Sequence, residues 1–169
     1  LANRGRVRAI VGLAALLAGC AGDSLSVPSV TRLDELPERT EVASAPTQVE
    51  FASRTFTLET YLWRDFMPPI GPEGSPLMAV VRIVVSDGGP FPEELDADLL
   101  YVVNGDEVWV TTFSSESRPP AGSGVLEKVA RGGPEWGPDI AVDVVVRLVD
   151  GNGPVGYLRA TDQPIQATY

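Results

Sequence analysis

The stretch Leu77-Met-Ala-Val-Val-Arg-Ile-Val-Val-Ser86 is apolar at every second position: Leu77, Ala79, Val81, Ile83 and Val85 share one face, with Arg82 and Ser86 on the other. A period of two is the pattern of a β-strand with one buried and one partly wet face. The same test on Ile140-Ala-Val-Asp-Val-Val-Val-Arg-Leu-Val149 turns Ile140, Val142, Val144, Val146 and Leu148 inward and leaves Asp143 and Arg147 on the outer face. Two such strands, far apart in the chain, predict a sheet built from distant segments.

Between them lie two β-rich runs in Leu99-Leu-Tyr-Val-Val-Asn-Gly-Asp-Glu-Val-Trp-Val-Thr-Thr-Phe113. Asn104-Gly105 tolerates the positive φ of a tight hairpin, which predicts Tyr101 opposite Val108 and Leu100 opposite Trp109. An opening strand is expected around Phe56–Trp63, and a closing one near Val155–Thr161 after the turn Asp150-Gly-Asn-Gly-Pro154. Gly124–Arg131 reads as one or two helical turns, with Lys128 in a surface turn. No run is long and helix-periodic, and there is no internal repeat. About seven short strands in residues 55–169, separated by Gly/Pro-rich turns, predict an all-β antiparallel sandwich. In strand number and size it resembles an immunoglobulin-like domain, in architecture only, since the cysteine pair of antibody domains is missing.

The first eight residues carry Arg4, Arg6 and Arg8 and no acid, and an uncharged apolar run, Ala9–Gly19, follows them. That is the pattern of a secretory signal peptide. The run is too short for the roughly 20 residues of a membrane-spanning helix. It ends in Leu17-Ala18-Gly19-Cys20, around the only cysteine, and so resembles the lipobox of bacterial lipoproteins over residues 1–20. The resemblance implies removal of residues 1–19, a diacylglyceryl thioether on Cys20 and acylation of its new amino terminus. It further implies membrane lipid as a partner and the cell envelope as location. Ala21 rather than Asp follows the cysteine, which points to the outer membrane, facing periplasm or surface, where the host has two. A single cysteine permits no disulfide within the chain.

Residues 20–54 then read as the lipidated cysteine and a flexible linker, with Pro28, Pro37 and Pro46 among Ser, Thr and acids. Little apolar surface is offered there to offset the entropy of ordering it. For Val30–Pro37 a helical turn or an edge strand is the alternative.

The chain has 13 basic and 23 acidic residues, and without the three leading arginines its formal charge falls from −10 to −13. Nucleic acid is therefore not an expected partner. With no histidine and its one cysteine assigned to lipid, the chain lacks the residues for Ser-His-Asp or Cys-His catalysis, His-ligated zinc or haem. No phosphate-binding glycine loop is present. The expectation is a non-enzymatic binding or assembly module for an envelope protein or a surface glycan, without a cofactor beyond the lipid. The alternatives are a carbohydrate-binding or weakly carbohydrate-active lipoprotein, or a calcium-stiffened domain. Calcium wants several loop oxygens, and Asp87, Glu94, Asp96, Asp98, Asp150 and Asn152 are the candidates. For ligand stacking the aromatic candidates are Trp136, Trp109 and Tyr101, with Tyr61 and Trp63 as further rings on a strand.

Overall fold

The computed structural model describes residues 29–117 and 122–169. The expected signal peptide over residues 1–19, the expected lipobox positions Leu17, Ala18 and Gly19, and Cys20 lie outside the described residues. In chain order the elements are β1 (Val30–Arg32), a 3-10 turn at Leu33–Glu35, α1 (Arg39–Ala43), β2 (Val49–Phe51), β3 (Arg54–Asp65), β4 (Leu77–Val85) and β5 (Asp96–Asn104). They continue with β6 (Glu107–Thr111), β7 (Ser115–Ser117), β8 (Val125–Gly133), β9 (Ala141–Asp150) and β10 (Gly153–Thr168). The fold is all-β. No helix among the described residues is long and apolar enough to cross a membrane.

The strands form one continuous sheet in the order β1-β6-β5-β9-β10-β3-β4-β8-β7, with β2 added beside β3. This is a curled half-barrel rather than two separate sheets, and β10 is the reason. Its first part pairs antiparallel with β9; residues Ile165–Thr168 then pair parallel with Leu62–Asp65 of β3. The change of partner falls between Pro164, still opposite Ala141, and Ile165; just before it lies an irregularity between Ala160 and Gln163, where Asp162 takes φ +56 and its N–H donates to Asp143 Oδ1 at 2.9 Å.

The curled sheet folds its inner faces onto one core. Leu77, Ala79, Val81, Ile83 and Val85 of β4 are buried there, as are Val142, Val144, Val146 and Leu148 of β9. Both strands thus lie as their alternation predicts. The 104–105 hairpin forms two residues away from its expected register: Tyr101 faces Val110, Leu100 faces Thr111 and Val102 faces Trp109. Of the loop residues Gly105 and Asp106, Gly105 alone takes positive φ, the φ pattern of a type II′ turn. A slip of two, unlike a slip of one, leaves every side chain on its expected face.

Two expectations are corrected. Gly124–Arg131 is not helical: most of it is β8, with Leu126, Lys128 and Ala130 inward, so Lys128 is buried rather than at a surface turn. Residues 30–54 are not a flexible linker: β1 pairs with β6, β2 with β3, and Leu36, Val42 and Ala45 are buried. These three pack with Tyr101, Val108 and Val145 in a second core on the outer face of β5, β6 and β9. The few apolar residues of the segment suffice because that face already offers them an apolar surface.

Arg159 and Arg147 pin this roof. Arg159 donates to Ala43 O at 2.8 Å and pairs with Asp143, while Arg147 grips Asp98 through two bonds of 2.9 and 2.6 Å and reaches Glu38 at 3.6 Å. The Arg147 hydrogen bonds hold the Asp98 carboxyl below its usual range, and Asp98 raises the Arg147 guanidinium in turn. Burial first, then the charge of Glu38, pushes the Tyr101 phenol well above its ordinary value.

Candidate functional site

On β3 the inward residues Phe56, Leu58 and Leu62 alternate with outward Glu59, Tyr61 and Trp63. Pairing carries that outer face across two further strands. Tyr61 lies opposite Val80 of β4, and Val80 opposite Val129 of β8; Trp63 lies opposite Met78, and Val84 opposite Val125. The result is an apolar surface three strands wide. Tyr61 is 42% exposed and Trp63 half-buried, their ring centroids 5.1 Å apart and their planes tilted by 34°.

Polar groups frame the rings. Arg82 sits between Glu59 at 3.2 Å and Glu127 at 3.6 Å, an exposed charged row crossing the same three strands. At the other end the Arg131 guanidinium is 3.1 Å from Met78 Sδ, and Gln166 of β10 stands in register beside Trp63. Two aromatic faces bordered by fixed donors and acceptors can hold a flat, hydroxylated ligand: apolar contact comes from the rings, and direction from the hydrogen bonds.

The aromatic candidates fare otherwise. Trp109 and Tyr101 are each 1% exposed, Trp109 in the inner core and Tyr101 beneath the roof, so neither can touch a ligand. Trp136 packs against the end of the inner core. Its loop is held by Arg64, 4% exposed, which donates to the carbonyls of Glu135 and Gly137 at 3.0 Å and of Ser75 at 2.8 Å. Gly137 fits there for want of a side chain: at φ +73, a Cβ would lie 2.8 Å from Ile165.

The acidic candidates do not converge. Among the described residues no group of three or more His, Cys, Asp or Glu is placed to hold a metal ion. Asp87 and Asp150 each accept a backbone N–H two residues on, from Gly89 at 2.8 Å and Asn152 at 2.7 Å, which is turn chemistry. Glu94 is exposed, Asp98 pairs with Arg147, and Asp96 lies 2.6 Å from the Lys128 ammonium.

The sequence reading passed over Tyr61 and Trp63 as the leading pair, although a signal existed. Alternation through Phe56, Leu58 and Leu62 already puts both rings on the opposite face. No protein-family model, curated protein or solved structure matches the chain. Among the described residues, fold and surface define an all-β half-barrel with one aromatic face that no described element covers.

Proposed function

We propose that this protein is a lipid-anchored envelope protein, attached through Cys20, whose β domain is a non-enzymatic binding module. Its contact surface is the outer face of β3, β4 and β8, and the occupant is a neutral surface polysaccharide. The observation that supports this is the side-by-side, solvent-facing pair Tyr61 and Trp63 within a charged and amide-bearing frame. Sugar rings present C–H faces that pack on aromatic faces, while their hydroxyls reach donors and acceptors at the border. A formal charge of −13 without the three leading arginines favours a neutral chain over an anionic one.

The test is retention of the full chain on particles of β-glucan and of chitin, compared with a Tyr61→Ala/Trp63→Ala variant. Retention of wild type, and its loss in the variant, supports the reading. Equal retention of both, or none on either polymer, overturns the glycan assignment; aromatic-dependent capture of one envelope protein instead would identify a protein-binding face. For the anchor, Cys20→Ala is expected to move the protein out of the membrane fraction, and an unchanged distribution would contradict lipidation.

A further inference from the structure

Lys128 is the chain's only lysine; its twelve other cationic side chains are arginines. It points inward from β8 and is 6% exposed. Its Nζ lies 2.6 Å from Asp96 Oδ1 and 3.0 Å from Glu116 Oε2, and 5.3 Å from the centre of the Phe113 ring. Three strands meet at this point. Asp96 opens β5 in one half of the sheet, while Glu116 of β7 and Lys128 of β8 belong to the other. On the far side of the core the halves are joined by the β10–β3 ladder. β5 and β8 share no backbone pairing, so side chains alone connect them here.

An arginine would serve two carboxylates better as an ion pair, because its planar fork binds them with fixed geometry. What arginine cannot supply is an amine that loses a proton and attacks. The amine, a carboxyl carbon one bond beyond the contacted oxygen, and a second carboxylate on the same Nζ are the parts of an amide-forming site. The Ala97 N–H, 2.6 Å from Asp96 Oδ1, adds a donor where negative charge would develop. Fixed on three strands, the groups react at the effective concentration of an intramolecular pair.

We propose that Lys128 and Asp96 condense to an intramolecular isopeptide bond, with Glu116 as proton carrier. One ammonium proton passes to Glu116, 3.0 Å from Nζ, and on to Asp96 Oδ2, leaving a neutral amine. The Nζ lone pair attacks Asp96 Cγ; the C–N bond forms and the carbonyl electron pair moves onto Oδ1, facing the Ala97 N–H. Glu116 removes a second proton from Nζ and delivers it to the Oδ2 hydroxyl. The Cγ–Oδ2 bond breaks, the carbonyl re-forms, and one water leaves. The step is redox-neutral and needs no co-reactant. Its product is a covalent clasp across the side of the half-barrel that has no backbone ladder.

A single lysine makes the test direct. The denatured full chain is digested with a lysine-specific protease and analysed by mass spectrometry. A free Lys128 gives one cut and two fragments; the amide blocks that cut and leaves the whole chain uncut and lighter by one water. We expect the uncut, lighter form for wild type, and the full mass for Lys128→Arg and Asp96→Ala. Glu116→Gln should form the bond roughly 100-fold more slowly or worse, the scale of lost proton transfer. A wild type of full sequence mass that cuts cleanly overturns the proposal and leaves an ion pair only. That outcome needs no variant to fold, so it stands whatever the substitutions do to stability.

Discussion

The two outer faces of the half-barrel start from the same pattern and end differently. β5 and β4 both carry long apolar runs, Leu99–Val103 in one and Leu77–Val85 in the other, so each offers apolar side chains to its outer as well as its inner face. Over β5, β6 and β9 the cover is the chain's own segment 33–45, and Tyr101, Val108 and Val145 are buried beneath it. Over β3, β4 and β8 no described element supplies one, and Tyr61, Trp63, Met78, Val80 and Val129 remain partly open to solvent. One face has been used for folding. The other is the face proposed above as the contact surface.

If that difference is real, the same kind of substitution must cost unequal amounts on the two faces. Val42→Asp puts a charge into a site 1% exposed within the apolar second core. It is expected to destabilise the protein by about 3 kcal/mol or more, read as the shift of a denaturant midpoint. Val129→Asp on the half-buried outer face should cost about 1 kcal/mol or less by the same measurement. Equal costs would mean that the bare face is covered after all.

The pins of the roof carry a smaller and pH-dependent effect. Because Arg147 holds the Asp98 carboxyl below its ordinary range, the folded state favours the ionised form. The resulting stability is complete above the pKa of the unfolded chain, about 4, and is lost as pH falls through the folded value. With Asp98 partly exposed, solvent screening keeps the contribution to about 1 kcal/mol. Asp98→Asn should flatten this part of the acid limb in urea titrations between neutral and acid pH. An acid limb identical to wild type would contradict the assignment.

Tyr101→Phe carries the smallest effect, with the opposite sign. The Tyr101 hydroxyl is buried and makes no hydrogen bond among the described residues. Its removal should leave stability unchanged or raise it by up to about 1 kcal/mol. Its pKa is raised in the folded state, so wild type should lose stability as pH climbs past about 10, where the unfolded phenol ionises. The phenylalanine variant should lose less, and a matching alkaline decline in both would argue against burial of this phenol.

How far the sequence revealed these faces depends on where the information lies. The inner core was readable, because alternation within β4 or β9 is local and needs only a period of two. The hairpin was readable too, but its register was not: Asn104-Gly105 and Gly105-Asp106 are both acceptable loops, and the choice rests on how β6 meets β1 and β5. The roof was hidden, since Leu36, Val42 and Ala45 are sparse among prolines and acids and become apolar contacts only when Tyr101 and Val145 arrive from elsewhere in the chain. Lys128 was misplaced for a related reason. A lone lysine between Glu127 and Val129 reads as surface, and its two carboxylate partners come from β5 and β7.

The assignment of the bare face to a partner is tested most directly by titrating the full chain with soluble neutral oligosaccharides while following tryptophan emission. Trp109 is sealed in the core and Trp136 is packed at its end, so Trp63 should dominate the response. The expected result is a saturable shift in wild type that weakens at least about 10-fold in Tyr61→Ala, which keeps the Trp63 reporter, the loss of roughly 1.4 kcal/mol of contact. A flat titration in wild type, or an identical curve in the variant, would contradict it.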